Sequence, residues 1–124
     1  MISRPPLLGL ALLAAAAAPL AAQDDVPNEE TLERRLGACL VSGSAGAPRD
    51  SLLGAVVAVR SVCHTQIRRV REFRLAAIDE SFGLPEARLS ASRQDELDRA
   101  RDTTTRQLND EITRAISNFT GLTL

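Results

Sequence analysis

The chain has 124 residues, and its 15 basic side chains, all Arg, face 16 acidic ones for a formal net charge of −1. A balance that even excludes polyanion binding driven by net charge. With no Trp, no Tyr and three Phe, it also lacks the rings on which sugars and single-stranded nucleic acids stack, so no nucleic-acid partner is expected.

Met1-Ile2-Ser3-Arg4 is a short positive start, Leu7 to Leu20 is an uncharged Leu/Ala run broken by Gly9 and Pro19, and Ala21-Ala22 precedes Gln23-Asp24-Asp25. This is the layout of a secretory signal peptide, read as residues 1–22 with cleavage after Ala22. The apolar run is shorter than the roughly 17–25 residues of a membrane-spanning helix. The reading is an exported chain, periplasmic or secreted and bacterial by its Ala-rich, Arg-only usage, with no transmembrane segment after cleavage. Taking 22 residues from 124 leaves one small domain over 23–124. Its core must come from Leu, Ile, Val and Ala, and a domain of this size is often marginal.

Three helices are expected. Asn28 is a plausible cap for the first, with Glu29 and Glu30 in the opening turn. Leu32, Leu36, Cys39 and Leu40 mark its inner face. Ser42 to Pro48 reads as a loop by composition. Asp50 is the expected cap of a second helix, in which Leu52, Val56, Val59, Cys63, Ile67, Val70 and Ala77 keep helical spacing for more than six turns, with Phe73 at the margin. Phe82-Gly83-Leu84-Pro85 stops it. Ser90 or Ser92 opens a third helix, whose inner face is Leu97, Ala100, Thr104, Leu108, Ile112, Ala115 and Phe119 and which Gly121 ends. Asp95–Arg99, Asp102–Arg106 and Asp110–Arg114 are spaced for pairing on its outer side. The fold class is therefore all-α, a small helical hairpin or three-helix arrangement stapled by one disulfide.

The staple is Cys39–Cys63, since two cysteines in an exported chain commonly pair with one another. Closing this loop stabilises by about 3 kcal/mol in the chain-entropy model. A tight antiparallel turn, however, would set Cys39 opposite a position nearer Leu53, so the connection must run back along the second helix or a break must fall near Gly54. Four other readings compete. An intermolecular bridge would give a covalent dimer. Leu36-Gly37-Ala38-Cys39 has the form of a lipobox, but seven charged residues separate it from the apolar run. Cys63-His64 suggests a thiol nucleophile with a base, although adjacent helical residues point about 100° apart. A zinc site using Cys39, Cys63 and His64 lacks a fourth ligand and the usual ligand spacing. No metal or cofactor is expected.

Arg60, His64, Arg68 and Arg71 fall within about 80° of one another on the second helix, with Arg74 extending the patch into the apolar face. They are the candidate contact for an anion, an envelope partner or an anionic surface. In the alternative, Arg stems cover the edge of the core and their heads pair with acids such as Glu29, Glu30 and Glu33. Asp98 and Asp102 share a face among Arg99, Arg101 and Arg106, which reads as a solvated charged surface. No Gly-x-Ser-x-Gly or phosphate-binding glycine loop occurs.

Leu89-Ser90-Ala91-Ser92-Arg93-Gln94 resembles the Leu-Thr-x-x-Gln motif of periplasmic helical chaperones of the Spy/CpxP type, with Ser90 for Thr, Arg93 for Gln and Gln94 one place later. The resemblance implies a cradle-like helical dimer that holds unfolded clients. The sequence thus supports an exported, non-enzymatic helical protein acting by binding or structural interaction. A holdase chaperone with an apolar, Arg-lined face and a thiol-dependent enzyme using Cys63 are the alternatives.

Overall fold

The computed structural model describes residues 27–124, so the export signal expected over 1–22 lies outside the described residues. Four α-helices follow one another there, with no strand among the described residues: α1 Glu29–Ala45, α2 Leu52–Val62, α3 His64–Ser81 and α4 Ala91–Thr120. Only Cys63 separates α2 from α3, so the two make one bent middle arm between α1 and α4. The all-α, three-armed arrangement with one disulfide is the one its periodicity predicts.

Three of the four helices begin where a side chain can satisfy their free N–H groups, while α3 follows Cys63 with no side-chain cap. The Asn28 side-chain oxygen accepts from the Thr31 N–H at 2.9 Å. Ser51, rather than Asp50, caps α2 and accepts from the Gly54 N–H at 3.0 Å. Ser90 caps α4 by accepting from the Arg93 N–H at 3.2 Å. At the other ends, Gly83 (φ 84°) follows the last turn of α3 and Gly121 (φ 75°) closes α4, both in the left-handed region that glycine enters without strain.

Two expectations need correction. Ser42 to Ala45 is the last turn of α1 and not a loop. Packing overrides composition there: Ser44 is fully buried, and a Cβ on Gly43 would lie 3.2 Å from a Val59 methyl and 3.7 Å from the Cys63 sulfur. Nor is the middle arm continuous. Cys63 leaves helical geometry (φ −94°, ψ 15°) although its N–H still donates to the Val59 carbonyl at 2.9 Å and its carbonyl accepts from the Ile67 N–H at 3.0 Å. The residue pinned by its sulfur to α1 is the one that bends.

The pairs Cys39–Cys63 and Gly43–Val59 step by four residues in opposite directions. That antiparallel register sets Ala45 level with about Val57, so the 46–51 connection covers the first turn of α2 and lays Ala47 on the core. The bridge thereby avoids the conflict a tight turn would create. The Arg49 guanidinium donates to the Thr120 carbonyl at 2.9 Å, tying this connection to the C-terminal end of α4, where a cation suits the helix dipole.

Leu32, Leu36 and Leu40 of α1, Leu52, Ala55 and Val59 of α2, Cys63, Ile67 and Val70 of the middle arm, and Leu108, Ile112 and Ile116 of α4 form one buried cluster. Ala55 is more deeply buried than Val56, and Ile116 replaces Phe119, which is 48% exposed in the last turn of α4. Ala77 is exposed as well. Contact between Arg74 and Glu29 marks where α1 begins, and past that level, among the described residues, α3 packs against α4. Leu97 is buried in this second, thinner part of the molecule.

Candidate functional site

The two sulfurs are joined at 2.06 Å with Cα atoms 5.9 Å apart, and the Cys63 side chain is fully buried. Cys39 sits in the third turn of α1. His64, the next residue along from Cys63, is exposed at the start of α3. Neighbours in the chain therefore meet opposite environments, as the 100° rotation per residue requires. Among the described residues, no three His, Cys, Asp or Glu side chains gather as a metal site would need.

The structure divides the Arg patch in two. Arg74 turns inward and joins three helices: its guanidinium lies 3.6 Å from Glu29 and 2.9 Å from Glu33 on α1, and 3.0 Å from Glu111 on α4. Its side chain is only 19% exposed. Burial disfavours the charged form, but hydrogen bonds to Glu33 and Glu111 and the charges of both outweigh it, and the Arg74 pKa is raised. Arg74 is thus a structural cation. A hollow of about 410 Å³ opens between α1 and α4 over Leu36, Gly37 and Leu40 on one side and Leu108, Ile112 and Ala115 on the other. The one cation at its edge, Arg74, is already paired with Glu33 and Glu111, so the edge carries net negative charge.

Arg60, His64 and Arg71 face outward. With Val57, Ser61 and Ile67 they surround a hollow of about 340 Å³ that straddles the bend at Cys63. Arg68 lies outside it and sits 3.9 Å from Glu72, both exposed. Among the described residues neither Arg60 nor Arg71 forms an ion pair, whereas Arg34, Arg68, Arg74, Arg93 and Arg101 all do. Two half-buried guanidiniums over an aliphatic floor are suited to an anion carrying an apolar part.

Val57 was not among the expected contact residues, nor was Leu53 one turn earlier, yet the signal was present. Both lie on the angular stripe of Arg60 and Arg71 rather than on that of Leu52 and Val59. Of the expected outer-face pairs on α4, none of Asp95–Arg99, Asp102–Arg106 and Asp110–Arg114 closes. Arg106 bonds the Thr103 hydroxyl at 3.5 Å, and Arg101 reaches Asp79 on α3 at 2.8 Å. Arg93 pairs with Glu96 and stacks 4.3 Å over the Phe82 ring, fastening the start of α4 to the end of α3. Asp98 accepts from the Gln94 amide at 3.1 Å and lies 4.0 Å from Arg101, as expected of a solvated charged face.

No family model matches this chain, and no curated protein or solved structure matches it either.

Proposed function

We propose that this is an exported, non-enzymatic helical protein that acts by binding, and that the outward stripe of the middle arm is where it meets an anionic group. One observation carries the reading: Arg60 and Arg71 line a common hollow with His64 without a carboxylate to neutralise them, while Arg74 on the same arm is paired three times over. Export is supported by the leader-like residues 1–22 and by a disulfide, a bond that persists in oxidising compartments. Non-enzymatic action is supported by Cys63, whose sulfur is bonded and buried apart from His64.

The test is an NMR titration of the labelled, disulfide-bonded protein with glycerol phosphate and with a short poly-glutamate peptide. Saturable shifts are expected at the amides of Arg60, His64 and Arg71, and their loss is expected in Arg60→Gln/Arg71→Gln. Shifts confined to other residues, or none at all, refute the reading.

A holdase role is the second reading, favoured by exposed Leu53 and Val57 beside the guanidiniums. Suppression of client aggregation at near-equimolar ratio supports it, and a failure to suppress removes it.

A further inference from the structure

Resting on that reading, we infer that the anionic surface met by the middle arm is a lipid bilayer, on which the arm lies with Leu53 and Val57 entering the acyl boundary and Arg60, His64 and Arg71 among the phosphates. The formal net charge of −1 conceals the segregation behind this. From Ser51 to Arg71 the chain carries four Arg (Arg60, Arg68, Arg69 and Arg71) and His64, and no Asp or Glu. The ion pairs of the middle arm begin with Arg68–Glu72 and continue through Arg74 toward Asp79, and among the described residues the α2 half of the arm has none.

Apolar exposure follows the same division. Among the described residues Val41, Leu53, Val57, Val62, Phe119 and Leu124 are exposed in the half of the bundle that holds the disulfide and the Arg49–Thr120 bond, and Phe73 is the large exposed apolar side chain outside it. Leu53 is 69% and Val57 62% exposed among the described residues. On α2 these two share the angular stripe of Arg60, and across the break at Cys63 Val57 and Arg60 line one hollow with His64 and Arg71, so apolar and basic residues lie side by side.

A protein partner is the poorer fit. Protein hot spots are built from buried aromatic and Arg anchors in fitted pockets, and this hollow has no aromatic carbocycle and is formed by one helical arm alone. A bilayer surface asks for less: an apolar stripe a few ångströms deep and basic side chains that reach the headgroups while their stems stay against apolar surface. Among the described residues no helix is long and apolar enough to cross a membrane. The arm therefore lies on the surface and does not span it.

The experiment is co-sedimentation of the exported, disulfide-bonded protein with large vesicles of phosphatidylcholine alone and of phosphatidylcholine with about 30% phosphatidylglycerol. Partition is expected on the anionic vesicles only, with a loss of tenfold or more between about 0.05 and 0.5 M salt. Arg60→Gln/Arg71→Gln should lower it by roughly 30-fold, and Leu53→Ser/Val57→Ser by about tenfold. Arg99→Gln/Arg106→Gln on α4 should leave it unchanged, and circular dichroism checks that each variant keeps its helix content. Equal partition on neutral vesicles, or equal loss in the two Arg pairs, overturns the inference. No partition, while phosphate and peptide still shift Arg60, His64 and Arg71, removes the bilayer and leaves the anion-binding stripe standing. Failure of both experiments removes both.

Discussion

Ser44 shows how much a single polar atom weighs in a core this thin. Its hydroxyl is fully buried with no hydrogen-bond partner, in the last turn of α1. An unmet buried donor costs about 1–3 kcal/mol, while its removal leaves only a small change of shape. Ser44→Ala should therefore stabilise the protein by about 1 kcal/mol, seen as a higher urea midpoint with unchanged slope. Two glycines of the same helix should respond in opposite ways. A Cβ on Gly37 meets nothing within 4 Å, so Gly37→Ala should stabilise by about 0.5–1 kcal/mol through helix propensity. On Gly43 the new methyl would press at 3.2 Å on Val59, a stiff, fully buried side chain, and overpacking of this kind costs about 1–3 kcal/mol. Gly43→Ala should be net destabilising, and equal gains at both positions would contradict the close approach of α1 to α2.

Among the elements, Arg74 does what backbone hydrogen bonds cannot, holding α1, α3 and α4 at one point. Arg74→Met keeps the stem but leaves Glu29, Glu33 and Glu111 facing one another. The three carboxylates are about half exposed, so screening limits the cost to about 1–2 kcal/mol. Adding Glu33→Gln and Glu111→Gln should recover part of it in denaturant titration. The bend at Cys63 belongs to the same scale. It divides an arm whose periodicity is unbroken, and the outer hollow opens across it, so the face proposed to bind draws on both α2 and α3.

For the whole molecule the disulfide is a large contribution from one bond. Its sequence separation of 24 residues corresponds to about 3 kcal/mol of loop-closure stabilisation, against roughly 5–15 kcal/mol for a typical domain. Cys39→Ala/Cys63→Ala should lower the melting temperature by roughly 12–20 °C, measured by circular dichroism beside the oxidised parent. A shift below about 4 °C would mean that the aliphatic cluster holds α1 without help. The thin far end, where α3 and α4 pair over Leu97 with Arg101–Asp79 and Arg93 over Phe82, should exchange its amide hydrogens first.

Much of this was legible in the order of residues, because caps and stops are local. Asn28, Ser90, Gly83 and Gly121 act through neighbours within four positions, and the spacing of Leu32, Leu36 and Leu40 or of Leu108 and Ile112 names a buried face without reference to any other helix. The Cys39–Cys63 pair follows from there being two cysteines. What spacing alone left open depends on distance through space. Whether Ser42–Ala45 stays helical is settled by Val59 across the interface, and the break of the middle arm at Cys63 interrupts a periodicity that gives no sign of it. Which Arg is neutralised depends on where Glu29, Glu33 and Glu111 arrive. Arg71 and Arg74 are three positions apart and chemically identical, yet only packing makes one a structural cation and leaves the other facing water.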